Sequence, residues 1–183
     1  MLIFTLPPPG INIPLIALIL AACVYDVRYR RIPNWLTASG VFAGVAMNSF
    51  IYRGWSGFRL SLAGLAVGFT AYFILYSLRA MGGGDVKLMA AIGALVGVRD
   101  WFGIFLITAI VGGVAGLAMV AARGRLKKTF WNVGFILSEM KHGRPAYVGR
   151  EELDVRNPKS VGLPHGAMIA LGTIMFLGLG TCF

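Results

Sequence analysis

Residues 10–26, GINIPLIALILAACVYD, run without a charge as far as Tyr25 and then end on an aspartate. About 17 to 25 mostly apolar residues suffice to cross a bilayer as a helix. Inside hydrocarbon, a helix satisfies its own backbone polar groups, which an open strand cannot. The reading decides the fold because five further stretches repeat it, at roughly 34–51, 60–78, 85–98, 101–122 and 161–181. Most joints between them carry charges or helix breakers: Arg28–Asn34, Arg53–Gly57, Arg79–Gly84 and Arg99–Asp100. The expected architecture is an all-α integral membrane protein, one domain over 1–183 with six transmembrane helices in a bundle. Small residues such as those of Gly112-Gly113-Val114-Ala115-Gly116 are expected to let helix backbones approach closely.

Composition agrees with this reading. Of 183 residues, 57% are hydrophobic and 13% charged, with a mean hydropathy of +0.76. Soluble domains carry about one-quarter charged residues, so an ordinary cytosolic enzyme is excluded, and disorder needs far lower hydrophobicity. All but three of the 17 Lys and Arg fall in one set of loops, the exceptions being Arg53, Arg59 and Arg99. The positive-inside rule puts the larger set in the cytoplasm and both termini outside. The net charge of +10 is therefore topological and does not point to nucleic acid. Residues 1–10, MLIFTLPPPG, hold no positive charge and do not read as a cleavable signal peptide. Cys23 and Cys182 lie in apolar stretches and offer neither a zinc cluster nor a disulfide framework.

The long cytoplasmic loop, 123–160, contains Leu126, Phe130, Val133, Leu137 and Met140 at helical spacing. This stripe predicts an amphipathic helix, lying on membrane lipids or packed on the rest of the protein. The remainder of the loop is charged and reads as solvated.

With so few acids, each needs an explanation. Asp154 lies beside Glu151 and Glu152 in the solvated loop, and Asp100 follows Arg99 in an external turn where it would cap the fifth helix. Asp26 and Asp85 differ, because each falls at the cytoplasmic end of an apolar helix. Counted from Asn12 and from Arg99, each lies roughly 21 Å along a helix rising 1.5 Å per residue. An ionisable group at that depth is costly and marks a candidate functional site. The plainer reading pairs Asp26 with Arg28 or Arg30, and gives Asp85 to Lys87 or to a helix N-cap. Their shared level favours a dyad. Two carboxyls within hydrogen-bond reach share a proton, so one can activate a water while the other protonates a leaving amine. Such chemistry calls for no metal and no cofactor.

Two motifs surround these aspartates. Gly82-Gly83-Gly84-Asp85-Val86-Lys87 has the form G-x-G-D-x-K, and its glycines are expected to permit positive φ and close approach of an extended substrate. Asp26 is followed by Ile32-Pro33-Asn34, where Pro33 and Asn34 would turn the chain and start the second helix. Near the last helix comes Pro164-His165-Gly166.

Taken in order, these motifs resemble the type IV prepilin peptidase family, membrane aspartic proteases of the G-x-G-D type, over nearly the whole chain. The resemblance implies that Asp26 and Asp85 are the catalytic pair. It implies cleavage at the cytoplasmic face, after a short basic leader and just before the hydrophobic helix of a prepilin or pseudopilin. Around the pair, Gly82, Gly83, Gly84, Lys87, Pro33, Asn34, Pro164 and Gly166 are expected to shape the site or bind substrate, with Lys87 orienting or tuning Asp85. The run from Pro164 looks most like the short peptidases of Flp (tight-adherence) pili. Tyr is commoner beside that proline there, and His165 here reads as a hydrogen-bonded structural residue. Larger members carry paired Cys-x-x-Cys motifs and also methylate the new N-terminus; without such pairs, this sequence is expected to cleave without methyl transfer. The implied setting is the prokaryotic inner membrane, near pilus-assembly machinery. Two readings from other classes are a small transporter relaying protons or cations through the aspartates, and a non-catalytic assembly subunit. Cleavage of a prepilin separates both from a peptidase.

Overall fold

Prolines and glycines stand at the helix starts in the computed structural model, which describes residues 7–78, 81–124, 131 and 164–181. Helix α1 (Pro9–Tyr29) has proline in its first turn, where the missing N–H would be unpaired anyway, and closes on Arg30 in the left-handed conformation. Helix α2 (Asn34–Ile51) starts directly after the extended Pro33. A tight turn through Arg53 and Gly54, both at positive φ, leads into α3 (Trp55–Ser77). Helix α4 (Gly83–Ala122) follows Gly82, and α5 (His165–Thr181) follows Pro164. Among the described residues there is no strand. Helices α1, α3 and α4 are long and apolar enough to cross a membrane, and α5 is a shorter apolar helix. The stripe Leu126–Met140 and the loop around it lie outside the described residues, apart from 123–124 and 131.

The stretches expected at 85–98 and 101–122 form the two arms of α4, which meet at Gly97 (φ 78°, ψ 176°) rather than at Arg99–Asp100. A straight helix would hold residues 89 and 101 about 18 Å apart. Instead, the Trp101 indole Nε1 donates to the Met89 carbonyl at 3.1 Å, so the chain folds back at Gly97. Gly68 of α3 lies against both Met89 and Trp101, and Tyr72, one turn further on, meets Phe105 edge-on at 6.0 Å. The two arms of α4 therefore run in opposite directions beside α3. Asp100 is not in a turn: it is helical and buried, and its Oδ1 meets no hydrogen-bond partner among the described residues.

Close packing holds these arms together. Gly64 of α3 and Gly93 of α4 face one another so tightly that a Cβ on either would land on the other's carbonyl. Gly44 of α2 leaves similar room for the backbone of Ala94 and Leu95. Around these contacts Leu15, Ile19, Leu88, Met89, Ile92, Leu95, Ile104 and Ile169 are fully buried. The expectation for Gly112, Gly113 and Gly116 fails: a Cβ there would meet nothing within 4 Å among the described residues. Intimate packing needs a facing backbone, and those glycines have none there.

A break in a buried helix strands carbonyls that would otherwise accept from amides four residues on. At Gly97 these include Ala94 and Leu95, and the Asn48 side chain of α2 caps both, donating through Nδ2 at 3.0 and 2.9 Å. The same two N–H bonds are shared with Ser61 Oγ of α3, 2.9 Å from Nδ2, and that hydroxyl donates to the Gly44 carbonyl at 3.0 Å. One amide thus ties three helices to the break. Replacing Asn48 with Ala leaves two buried acceptors unpaired and is expected to cost about 2–6 kcal/mol, at about 1–3 kcal/mol for each stranded group. Unfolding in detergent, compared with the unaltered protein, measures that loss.

Candidate active site

Three short segments build the site. Asp26 lies in the last turn of α1, and the Arg30 amide donates to its backbone carbonyl at 2.9 Å as the helix ends. Arg31, Ile32 and Pro33 then carry the chain to α2, whose first turn is braced by Thr37 Oγ1 donating to the Asn34 carbonyl at 3.0 Å. Asp85 lies in the first turn of α4, a position carboxylates favour. It is not the N-cap, a place taken by Gly82. The Gly82 N–H donates to Asp85 Oδ2 at 3.3 Å, while the Asp85 amide donates to the Gly82 carbonyl at 3.2 Å. The third segment is the start of α5, where the Gly166 N–H donates to Asp26 Oδ2 at 2.8 Å.

Both carboxyls line one cleft of about 660 Å³, together with Tyr25, Tyr29, Arg30, Arg31, Ile32, Pro33, Asn34, Gly82, Gly83 and Gly84. Asp26 is 9% exposed and Asp85 8%, and the two are close enough for their charges to interact. Each carboxylate has one oxygen fixed by a backbone amide, which sets the direction of the other. Two buried carboxyls facing a common cleft can pass protons to and from a group placed between them.

The glycines serve in a way the sequence reading did not expect. Gly82 is extended (φ −79°, ψ 152°), and Gly83 and Gly84 are helical; none uses positive φ. Their value is space. A Cβ on Gly84 would come 3.3 Å from Ile32 Cβ, and one on Gly82 would come 3.3 Å from Asp85 Oδ2. A Cβ on Gly83 would rest 3.5 Å from the Tyr76 ring. Gly166 is tighter still, with Asp26 Cβ and Oδ2 each 3.0 Å from its would-be Cβ.

Lys87 is two residues from Asp85, and residues so spaced on a helix do not face one another. Its ammonium donates instead to Asn34 Oδ1 at 2.8 Å. Arg28, one alternative partner for Asp26, lies over the Tyr29 ring at 5.6 Å. Pro164 precedes α5 and accepts the Met168 amide through its carbonyl at 3.4 Å. His165 is half-buried and within electrostatic reach of Asp26.

Several neighbours escaped the sequence reading. Tyr25 and Tyr29 share a helical face spaced i, i+4, which was available as a signal; their rings lie 5.7 Å apart, and Tyr25 also meets Trp35 edge-on at 6.3 Å. Tyr72, fully buried on α3, reaches the electrostatic range of Asp85. A phenol inside an apolar span was its only trace in the sequence.

Comparison with known proteins bears on this arrangement. A family model described as the type IV leader peptidase family matches residues 13–117, which include both aspartates. The chain is 30% identical over 118 residues to a prepilin leader peptidase/N-methyltransferase of Myxococcus xanthus, covering 61% of this chain and 35% of that protein. A protein of the same description from Xanthomonas campestris is 31% identical over 113 residues, covering 57% and 38%. Another, from Bacillus subtilis, is 29% identical over 115 residues, covering 62% and 45%. The chain thus spans less than half the length of these curated relatives. No solved structure gives a significant match.

Proposed function

We propose, from the premise that this chain belongs to the type IV leader peptidase family, that it is a membrane aspartic endopeptidase removing the leader of a prepilin or prepilin-like protein. The observation that carries the reading is the meeting of Asp26 and Asp85 in one cleft, from motifs far apart in the chain. One carboxylate takes a proton from a water as the water oxygen attacks the scissile carbonyl carbon. The other, protonated, gives its proton to the amide nitrogen as the C–N bond breaks. Gly166 and Gly82 hold the carboxyls through their amides, while Ile32, Pro33, Gly83 and Gly84 form the wall along which an extended substrate lies.

The membrane arrangement follows from the same reading. Counting the arms of α4 as two spans, and α2 and α5 as one each, gives six crossings with both termini outside. The basic residues then place the cleft toward the cytoplasm of a prokaryotic inner membrane. The substrate is a helix in that membrane, with lipids and pilus-assembly proteins as neighbours. Cleavage proceeds without N-methylation, a reading supported by a sequence that holds no Cys-x-x-Cys pair.

Co-expression with a prepilin, in cells lacking their own leader peptidase, tests both parts. The pilin is expected to lose its leader and to carry an unmodified amino group at the new N-terminus, read by mass spectrometry. A pilin that keeps its leader beside well-expressed protein contradicts the peptidase reading. One heavier by a methyl group contradicts the other half.

A further inference from the structure

The two aspartates sit on different helices, α1 and α4. Asp26 lies in the last turn of α1 and Asp85 in the first turn of α4, and α2 packs on α4 at Gly40 and Ala91. Ala91 is more than a turn of helix beyond Asp85, roughly 9 Å along α4 at 1.5 Å per residue. Nearer the cleft, the segment after Asp26 meets the segment around Asp85 at Ile32 and at Asn34. Ile32 fills the space left by Gly84, and Asn34 Oδ1 accepts from Lys87 Nζ at 2.8 Å.

We infer that Asn34 and Lys87 are positioning residues, a polar clasp that fixes the gap between the two carboxyl-bearing segments; the inference rests on the peptidase reading above. Neither residue touches the reacting atoms. Lys87 donates to Asn34, so its charge acts on the first turn of α2. The apolar contact of Ile32 with Gly84 limits how near the segments come, and the Lys87–Asn34 bond limits how far they part. Dyad chemistry depends on this gap, because displacements of about 1 Å in a catalytic constellation cost rates of order 100-fold. A bond from a charged donor is stronger than one between neutral groups, which suits a contact at the exposed rim.

The test is a double-mutant cycle on the full chain reconstituted in vesicles, with kcat and KM measured on a prepilin substrate. Lys87→Met and Asn34→Ala are each expected to lower kcat roughly tenfold, the scale of a lost hydrogen bond to a charged group, with KM changed less than about twofold. Lys87→Met combined with Asn34→Ala is expected to be no slower than either alone. Lys87→Arg, which keeps a donor for Asn34, is expected to recover most of the turnover. Additive losses in the double variant, a loss carried by KM, or unchanged kcat in the single variants would overturn the clasp. Asp85→Asn in the same assay separates the two claims. If it is inactive while the cycle is additive, only the clasp fails; if it still cleaves, the peptidase reading fails and the clasp with it.

Discussion

Asparagine in place of Asp85 is expected to stop cleavage of a prepilin substrate, lowering the rate by about 10³-fold or more, and Asp26→Asn is expected to do the same. The substitution keeps shape and hydrogen bonding. A carboxamide oxygen still accepts from the Gly82 amide at position 85, or from the Gly166 amide at position 26. What is lost is the ability to take up or release a proton, and a positioned general acid or base contributes about 10²–10⁴-fold. In the proposed mechanism the carboxyls act as a unit, so the variant with both replaced is expected to be scarcely slower than either single one. Unfolding in detergent should stay close to that of the unaltered protein, which separates lost chemistry from lost structure.

Gly166→Ala is the second large effect. A Cβ there would lie 3.0 Å from Asp26 Cβ and Oδ2 and 3.2 Å from Cγ, closer than carbon atoms pack without movement. Helix α5 has little freedom to retreat, because Gly172 two turns later is pressed against Thr108 of α4. The strain therefore falls on Asp26, and a shift approaching 1 Å is expected to cost about 10²-fold in kcat. Gly166→Val should be worse. Gly112→Ala supplies the control, since a Cβ there meets nothing within 4 Å among the described residues, and it should leave cleavage unchanged. Equal activity of Gly166→Ala and the unaltered protein would show that the α5 amide does not hold Asp26 in the working state.

The contrast between these glycines shows what a linear reading can and cannot reach. Apolar length and breakers locate α2 to the residue and α1 to within three residues, because both depend on local composition. The same reasoning puts a joint at Arg99–Asp100, where the charges are, whereas the break falls at Gly97. One positive-φ residue suffices there because Asn48, far away in sequence, caps the stranded carbonyls. Glycines at 112, 113 and 116 look like a packing surface but meet nothing within 4 Å among the described residues, while Gly64 and Gly93 form a close contact. Composition reveals smallness but not what stands opposite.

The site divides along the same line. Asp26 and Asp85 stand out because an acid near the end of an apolar span is costly wherever the chain goes. Their motifs also delimit the cleft, with Pro33, Asn34 and Gly82–Gly84 in its wall. The roles of those residues depend on partners from other segments. Gly84 is glycine for Ile32, Gly166 for Asp26, and Lys87 serves Asn34 rather than its neighbour Asp85. None of these pairings has a local trace. Each becomes visible only when the ends of α1, α4 and α5 meet.

Purified protein in lipid vesicles, incubated with a prepilin and followed by intact-mass spectrometry, tests the central claim without help from other cellular factors. Two products are predicted, the leader and the remaining pilin, divided just ahead of the hydrophobic helix and absent when Asp26→Asn protein is used. A pilin left whole by folded, unaltered protein would contradict the account, as would equal cleavage by the Asp26→Asn variant.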